Sequence, residues 1–275
     1  MAAKLVLQDK SIVVTGASSG LGLEMAKQLA RDHKAHPVLV ARRKDRLEIL
    51  AEELRAFGVR PRVIAADLSR PDDVDRLFDE ATREPIDGFI CNAGVTFFGH
   101  TLEQKSVDVG SLIATNVGSV VSLTQRAVPY LLERSGGGVM LVSSMAGFQP
   151  MPFQAVYGGS KAFVTSYGLA LSEELRGKSV SVTVFCPGGI ATEMMDSAGL
   201  STKYKKGHPM VMNVEPCARL ALSAFIARKR LAVPGGLNKV AAFFGQMSPT
   251  RLVTRLVAND YRGALSAMTL SKDGK

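Results

Sequence analysis

The chain has 275 residues, of which 46% are hydrophobic and 21% are charged, and its formal net charge is +9. These proportions exclude an intrinsically disordered chain, and the scattered basic residues with 6% aromatics do not form a nucleic-acid-binding module. We find no apolar run of 18 or more residues, no signal-peptide segment after Met1 and no metal-ligand spacing among the three cysteines, so we expect a cytoplasmic, metal-free protein with one domain over residues 1–275.

Segments typical of strands and of helices alternate through the first two thirds of the chain. The predicted strands are 10–15, 37–41, 62–66, 88–91, 138–142 and 180–186. The predicted helices are 23–30, 44–57, a segment from 71 onward, 107–132 and 156–175. Continuous apolar strands that alternate with helices are typical of a parallel sheet covered on both faces. The predicted fold class is therefore α/β, a doubly wound parallel sheet whose ligands bind at the carboxyl ends of the strands.

A glycine-rich turn, GASSGLG at residues 16–22, follows the first strand and precedes the first helix. Glycine permits positive φ and a close approach of the backbone to a ligand, and a helix N-terminus attracts anions. The spacing of the three glycines differs from the commoner dinucleotide-binding pattern, and glycines also serve tight turns. The strand before the turn and the helix after it favour a dinucleotide site. Its candidate residues are Gly16, Ser18, Ser19, Gly20, Leu21 and Gly22.

The second strand ends in Ala41, and two arginines, Arg42 and Arg43, come next. An acidic side chain at this point would bind the ribose hydroxyls of NAD, which Ala41 cannot do. A guanidinium makes planar, paired hydrogen bonds to phosphate, so Arg42 first and Arg43 second are candidates for the 2′-phosphate of NADP(H). The alternative is a solvated helix start, although cations are unfavourable at that end of a helix.

Tyr157 and Lys161 are four residues apart in a predicted helix and therefore share a face. Two unit charges about 4 Å apart interact by about 4 kcal/mol at an effective dielectric of about 20, so Lys161 is expected to lower the pKa of the Tyr157 phenol. Such a phenol would exchange protons with a substrate at neutral pH. The alternative is an ordinary helix surface on which the two side chains are neighbours by chance.

Six motifs follow one another in a fixed order: Thr15 to Gly22, Cys91-Asn92-Ala93-Gly94, Asn116, Ser144, Tyr157-xxx-Lys161 and Pro187-Gly188. In this order and spacing the chain resembles the classical short-chain dehydrogenase/reductase family over roughly residues 8 to 230. The resemblance implies an NAD(P)(H)-dependent oxidoreductase on a Rossmann-type domain. It also implies a homo-oligomer that interconverts a small-molecule carbonyl and a secondary alcohol.

The catalytic tetrad of that family falls on Asn116, Ser144, Tyr157 and Lys161. By resemblance, Tyr157 is the general acid or base, Ser144 hydrogen-bonds the substrate oxygen, and Lys161 also holds the nicotinamide ribose. Asn116 would support a water relay to Lys161, and a buried structural asparagine is the alternative.

Further cofactor contacts transfer by the same resemblance. Asp67 would touch the adenine ring, and Thr192 would bind the carboxamide or a phosphate, with a helix cap as the alternative for Thr192. The remaining candidates, at the adenosine ribose and along the cofactor, are Asn92, Ala93, Gly94, Pro187 and Gly188. Each has an ordinary reading as a turn residue, but all of them follow predicted strands at one edge of the sheet.

The last third of the chain is expected to shape the substrate site. Residues 191–213 cover the substrate in the family, and here they mix methionines with Ser, Gly and Lys, which suits an elongated lipophilic substrate. Residues 236–275 form a helical extension with two predicted amphipathic helices. The extension either packs over the active site or a dimer interface, or it makes peripheral contact with an anionic membrane.

Other functions stay open beside an NADP(H)-dependent oxidoreductase. A 3-oxoacyl-carrier-type reductase would share every core motif, although the long extension disfavours it. An epimerase or a dehydratase would need additional acid-base residues, and none stands out. A non-catalytic NADP-binding sensor or scaffold protein would bind NADPH without turnover.

Overall fold

The computed structural model describes residues 3–134, 136–197 and 211–272. The strands of its main sheet are β1 (Ser11–Thr15), β2 (His36–Ala41), β3 (Arg62–Ala65), β4 (Gly88–Cys91), β5 (Gly137–Val142), β6 (Val180–Phe185) and β9 (Leu231–Ala232). They pair in parallel throughout, in the order β3-β2-β1-β4-β5-β6-β9. Two further strands, β7 (Gly189–Ile190) and β8 (Val211–Met212), form a separate parallel pair.

The helices connect these strands. They are α1 (Gly20–His33), α2 (Lys44–Arg55), α3 (Pro71–Ala81), α4 (Ser106–Ile113), α5 (Ser119–Leu132), α6 (Ala155–Glu174), α7 (Glu193–Ser197), α8 (Val214–Ile226), α9 (Gly236–Met247) and α10 (Thr250–Lys272). Short 3₁₀ helices lie at Thr101–Glu103 and Met145–Phe148, and a π-helical turn, Ala114–Gly118, joins α4 to α5.

Two apolar layers cover the sheet, one on each face. Successive side chains of β1 point to opposite faces of the sheet, so Ile12 and Val14 belong to one layer and Val13 to the other. The first layer contains buried residues of α1, α2 and α8, and the second contains those of α3, α5 and α6. The predicted doubly wound, Rossmann-type parallel sheet is confirmed.

The reversal of strand order between β1 and β4 positions the candidate site. The strands run β3, β2, β1 in one direction and β4, β5, β6 in the other. A crevice opens at the carboxyl ends of the strands where such an order reverses. The glycine turn leaves β1 at this point, and Asn92 to Gly94 leave β4 beside it.

The continuous helical segment Ser106–Leu132 has the length and composition of a membrane span, and within the described ranges it is the one helix that meets this test. Polar residues such as Asn116 and Arg126 interrupt this segment, so it contains no uninterrupted apolar run of 18 residues. In the fold, α5 contacts α3, β4 and β5, so this segment forms part of the helical layer on the sheet.

The C-terminal part begins at the edge of the sheet. Strand β9 pairs with β6 alone and ends before Pro234, as expected of an edge strand next to a proline. Both predicted extension helices form, as α9 and α10. Residues 198–210, which make up most of the predicted substrate-covering segment, lie outside the described residues.

Candidate active site

The glycine turn has the backbone that a dinucleotide site requires. Gly16 and Gly20 adopt φ of 71° and 54°, a conformation that side chains rarely adopt. A Cβ added to Gly22 would lie 2.4 Å from the carbonyl oxygen of Gly16, so only glycine fits there. Ser19, the N-cap residue of α1, makes no side-chain capping bond, which leaves the first amides of the helix for an anion. The turn therefore fits a dinucleotide phosphate.

Thr15, the first residue of the first motif, joins the ends of β1 and β4. The Thr15 hydroxyl accepts hydrogen bonds of 2.9 Å from the amides of Asn92 and Ala93. The Asn92 side chain in turn donates to the Thr15 carbonyl oxygen at 2.9 Å. The sequence places Thr15 in a motif at the end of a strand, and its hydrogen bonds in the fold show how it positions the two strand ends.

The two arginines after β2 occupy different positions. Arg43 donates to the Ser18 hydroxyl at 3.1 Å and pairs with Glu193 at 3.2 Å. Arg46 pairs with the other oxygen of Glu193 at 2.8 Å, and these guanidiniums, Arg46 foremost, lower the pKa of that carboxyl. Arg42 is exposed and makes no hydrogen bond or ion pair within the described residues. Arg43 is therefore the arginine that contacts the glycine turn.

Two other predicted cofactor residues make local bonds. Asp67 accepts from the amide and hydroxyl of Ser69 at 3.1 and 2.8 Å, which is a turn arrangement. Thr192 donates to the Ile190 carbonyl at 3.3 Å, and its methyl group would lie 3.1 Å from a Cβ on Gly20. Thr192 thus lies against the glycine turn, and the roles of both residues toward a cofactor stay predictions.

Asn116 lies in the π-helical turn between α4 and α5, a geometry frequent at functional sites. Its buried side chain exchanges two hydrogen bonds of 2.9 Å with the backbone of Val95 and donates to Ser160 at 3.1 Å. A Cβ on Gly94 would lie 3.3 Å from the Asn116 oxygen and 3.4 Å from the Lys161 ammonium. The fold therefore brings Gly94, Asn116 and Lys161 together.

Lys161 is buried beneath Tyr157. Its ammonium donates to the Val142 carbonyl at 2.9 Å and lies 5.9 Å from the centre of the Tyr157 ring. Burial lowers the pKa of Lys161 to about 8. The Ser143 hydroxyl donates to the Lys161 carbonyl at 2.8 Å, which fixes α6 against the end of β5.

The phenol of Tyr157 differs from the expectation. Burial raises the pKa of Tyr157, and a hydrogen bond with Ser144 opposes that rise only in part. The prediction that Lys161 lowers this pKa is wrong for the protein alone, because the ammonium is directed to the Val142 carbonyl and desolvation of the phenol dominates. The side chain that opposes the rise is Ser144, so the fold places these two predicted residues next to each other, and their roles in catalysis stay predictions.

The turn after β6 contacts both the active site and the extension. The Pro187 carbonyl accepts from the amide of Met145 at 2.8 Å, next to Ser144. A Cβ on Gly188 would lie 2.6 Å from the side-chain nitrogen of Asn238, a buried residue of α9. Gly188 therefore gives the extension room to approach this turn.

An apolar cluster borders Tyr157 on the side of the extension. Its buried members are Ala146, Met151 and Tyr261, and Phe98, Phe153, Tyr157, Met195 and Val257 pack against them. Tyr261 and Val257 belong to α10, so the extension reaches the catalytic side chains. Of the two predicted uses of the extension, packing over the active site is the one seen in the fold.

The cysteines and acidic residues of the described ranges show no arrangement of a metal centre. Within residues 3–134, 136–197 and 211–272, no group of three or more His, Cys, Asp or Glu side chains has the arrangement of a metal site. The three thiols are free and buried, and burial raises the pKa to about 12 for Cys91 and Cys217 and to about 11 for Cys186. They are structural rather than reactive thiols.

Sequence comparisons identify similar proteins. Residues 10–202 match the family described as short chain dehydrogenase. The 3-oxoacyl-[acyl-carrier-protein] reductase FabG of Staphylococcus aureus is 31% identical over 220 residues, which cover 79% of this chain and 87% of that protein. The 17-beta-hydroxysteroid dehydrogenase type 3 of Mus musculus is 34% identical over 185 residues, 66% of this chain and 60% of that protein. Glycine betaine reductase ATRR of Emericella nidulans is 37% identical over 198 residues, 71% of this chain but only 15% of that much longer protein.

Solved structures share the architecture. A short-chain dehydrogenase from Sphingobium yanoikuyae in complex with NADPH superposes with a TM-score of 0.78 at 30% identity, over 86% of this chain and 93% of that chain. The bulky-bulky ketone specific alcohol dehydrogenase from Comamonas testosteroni superposes with a TM-score of 0.74 at 27% identity, over 86% of this chain and 91% of that chain.

Proposed function

The chain belongs to the short-chain dehydrogenase family, and we propose that it uses NADP(H) to reduce a lipophilic ketone or to oxidise the corresponding alcohol. It is an oxidoreductase that acts on carbonyl and alcohol groups. The observation that carries the proposal is the meeting of Ser144, Tyr157 and Lys161 beside Gly94, at the carboxyl edge where the glycine turn also lies.

The side chains of this site act on the substrate oxygen. NADPH, when bound, supplies the hydride, and the protein supplies position and a proton. Because burial raises the pKa of Tyr157, its phenol is protonated at neutral pH and donates to the oxygen as negative charge develops there. Ser144, whose side chain interacts with the phenol, stabilises the same oxygen. In the reverse reaction the same phenol, once deprotonated, would accept the proton of the alcohol.

Lys161 is arranged to serve the cofactor and the proton supply. With a pKa lowered to about 8, Lys161 is still mainly an ammonium at pH 7. One of its hydrogens is donated to the Val142 carbonyl, which leaves two for a ribose hydroxyl and for a water near Asn116. The missing side chain of Gly94 keeps the ammonium accessible from the crevice.

The preference for NADP(H) rests on cations at the end of β2. Arg43 lies on the glycine turn and Arg42 is exposed next to it, without an acidic residue in the position that binds a free ribose. The guanidiniums can bind a 2′-phosphate through charge-assisted hydrogen bonds. The NADPH complex of the Sphingobium relative supports this assignment.

The proposal of a lipophilic ketone rests on the apolar cluster beside Tyr157. Phenylalanine and methionine side chains belong to the same cluster as Tyr157, and such an apolar surface can bind the apolar groups of a ketone. The names of the Comamonas ketone-specific enzyme and of the mouse hydroxysteroid dehydrogenase support a bulky ketone. A 3-oxoacyl-carrier substrate is the second candidate, because FabG matches over 87% of its length.

The test is NADPH consumption against a panel of steroid, acyl-carrier, sugar and quinone carbonyls. We expect turnover with bulky apolar ketones and weak turnover with sugars. Preferential turnover of acyl-carrier substrates would instead identify the second candidate. A non-catalytic sensor or scaffold would bind NADPH with no turnover on any member of the panel, and that result would overturn the proposal.

We further propose that the protein is a cytoplasmic homo-oligomer. Val107, Ile113 and Phe163 are large exposed apolar side chains of α4 and α6, two helices that contact each other, and a second copy would cover them. Sedimentation velocity over a range of concentrations tests this assembly. A monomer at all concentrations would exclude it.

Peripheral membrane contact is a separate proposal about the outer face of the extension. The helices α9 and α10 expose Phe243, Phe244 and Leu256, and the cationic Arg255 lies next to Leu256 in the sequence. Apolar side chains flanked by cations suit an anionic bilayer surface. Sedimentation with anionic liposomes at two salt concentrations tests this contact, and absence from the pellet at low salt would exclude it.

A further inference from the structure

The helix α10 packs on the body of the protein through one face. Val253, Val257 and Tyr261 recur every four residues and therefore share that face. Val253 and Tyr261 are buried, whereas Leu252 and Leu256, on an adjacent face of the helix, are more than half exposed. Tyr261 and Val257 meet the cluster that contains Tyr157, so the packed face of α10 is directed at the catalytic side of the molecule.

Tyr261 is held by contacts with two separate segments of the site. Its ring packs edge-on against Phe98, with centroids 5.2 Å apart and planes at 77°. Its hydroxyl donates to the Gln154 side-chain oxygen at 3.2 Å, and the Gln154 nitrogen donates to the Thr96 hydroxyl at 3.0 Å. Thr96 and Phe98 follow Gly94 in the chain, so the tyrosine joins α10 to the loop that leaves β4.

Gln154 connects this chain of hydrogen bonds to the catalytic helix. It is buried, it is the N-cap residue of α6, and its carbonyl accepts from the amide of Gly158 at 2.8 Å. Tyr157 lies three residues after Gln154. Through Gln154, the position of Tyr261 is therefore fixed relative to the helix that carries the Tyr157 phenol.

Phe153, a residue with a strained backbone, packs against the same apolar cluster as Tyr157. Phe153 has φ of 66°, which is unfavourable for a bulky side chain. The amide of Gly99 donates to its carbonyl at 2.9 Å, and the His100 ring packs edge-on against it at 5.1 Å. The loop thus maintains a strained backbone that directs Phe153 to the cluster beside Tyr157.

We propose that Tyr261 is a specificity-determining residue, which closes the substrate site on the side of the extension and limits the size of the apolar group that a ketone can carry there. The proposal rests on the proposed function in that the ligand is a ketone bound next to Tyr157. Truncation of the tyrosine ring opens space between Phe98 and Val257, so a bulkier ketone gains access, whereas a small one loses little contact.

The experiment compares acetophenone, which is bulky on one side of the carbonyl, with benzophenone, which is bulky on both. Tyr261→Ala is expected to raise the ratio of kcat/KM for benzophenone over acetophenone about tenfold or more. The KM for NADPH is expected to change less than about twofold, because Tyr261 lies away from the glycine turn. The matched control is Leu256→Ala, which truncates an exposed residue of the same helix and should leave the ratio unchanged.

The outcomes separate specificity from a structural role. Loss of kcat/KM for both ketones in equal proportion, with the ratio unchanged, would overturn the proposal. Tyr261→Leu, which keeps an apolar side chain, serves if the alanine variant does not fold, and it should shift the ratio in the same direction by a smaller factor. If the wild type turned over neither ketone, the proposed function would fail separately. Calorimetric affinities of both ketones for the NADPH-bound wild type and variants would then decide whether Tyr261 limits their size.

Discussion

The two sides of the crevice are built in different ways. The cofactor side depends mainly on backbone geometry. Gly16 and Gly20 have positive φ, Gly22 lies so close to the Gly16 carbonyl that a side chain would not fit, and the Thr15 hydroxyl joins the ends of β1 and β4. On the substrate side, side chains on helices and on one strained loop provide an apolar surface, and the packed face of α10 completes it. A change on the first side should affect every substrate alike, whereas a change on the second should discriminate among substrates.

The largest expected effect concerns the group that lies between the two sides. Tyr157→Phe removes the proton donor without changing the shape of the site, so turnover should fall by about 10³-fold or more, while the affinity for NADPH stays within about twofold. Steady-state rates and fluorescence titration with NADPH measure the two quantities. Tyr167→Phe, on the same helix and stacked on Phe163, is the control and should remain active. Substantial residual turnover in Tyr157→Phe would contradict the acid role.

A methyl group at Gly22 should damage the cofactor side alone. Because its Cβ would lie 2.4 Å from the Gly16 carbonyl, Gly22→Ala forces the turn to shift, and we expect the KM for NADPH to rise about tenfold. The ratio of kcat/KM between two ketones should not change, since Gly22 is not part of the apolar cluster on the substrate side. Gly110→Ala, where a Cβ meets nothing within 4 Å, is the control. A changed ketone preference in Gly22→Ala would show that the two sides are not independent.

Charge reversal at Arg42 tests the assignment of the 2′-phosphate. Arg42→Asp should raise the KM for NADPH about tenfold and leave the KM for NADH nearly unchanged, because only NADPH carries the phosphate. Arg43→Asp should have the larger effect if the contact of Arg43 with Ser18 marks the true site. Arg55→Asp, at the far end of α2, controls for net charge. Equal effects on the two cofactors would reject both arginines.

The smallest expected effect is a pH dependence from Lys161. Its pKa is lowered to about 8 in the folded protein by burial, and the unfolded chain keeps the ammonium to higher pH. Between the pKa of about 8 in the folded protein and the pKa of about 10.4 in the unfolded chain, the unfolded state binds more protons than the folded state. The contribution of Lys161 to the free energy of unfolding therefore rises with pH in this range. We expect the unfolding free energy of the wild type to gain about 2 kcal/mol relative to Lys161→Met between about pH 8 and 10.

Urea denaturation of the cofactor-free proteins measures this difference. Lys178→Met is the matched control, since Lys178 is exposed and its removal should give a curve parallel to that of the wild type. Parallel curves for the wild type and Lys161→Met would mean that Lys161 keeps its charge in the folded protein.

The backbone of the glycine turn could be predicted from the sequence because its requirements are local. A positive φ at Gly16 and the close approach at Gly22 leave a visible pattern within seven residues, and the strands on which the motifs depend are uninterrupted apolar runs. The family resemblance assigned Asn116, Ser144, Tyr157 and Lys161 to one site, and their catalytic roles stay predictions. The pKa of Tyr157 could not be predicted, because desolvation depends on what the rest of the chain places over the phenol.

The substrate side could not be predicted in the same detail, because its contacts join residues far apart in the chain. Tyr261 and Gln154 are 107 residues apart, and neither belongs to a motif. The amphipathic pattern of α10 indicated a packed face but not its partner. Glu193 likewise reads as the start of a short helix, and only the fold shows that it pairs with Arg43 and Arg46.

The contact between Asn238 and Gly188 affects how the extension should be studied. Shortening the chain before α9 would remove Tyr261, but it would also uncover the turn after β6 and leave Gln154 without the tyrosine hydroxyl at the start of the catalytic helix. A shortened protein would then lose activity for reasons unrelated to substrate size. Single side-chain replacements, rather than deletion of the tail, are therefore the way to learn what this region contributes.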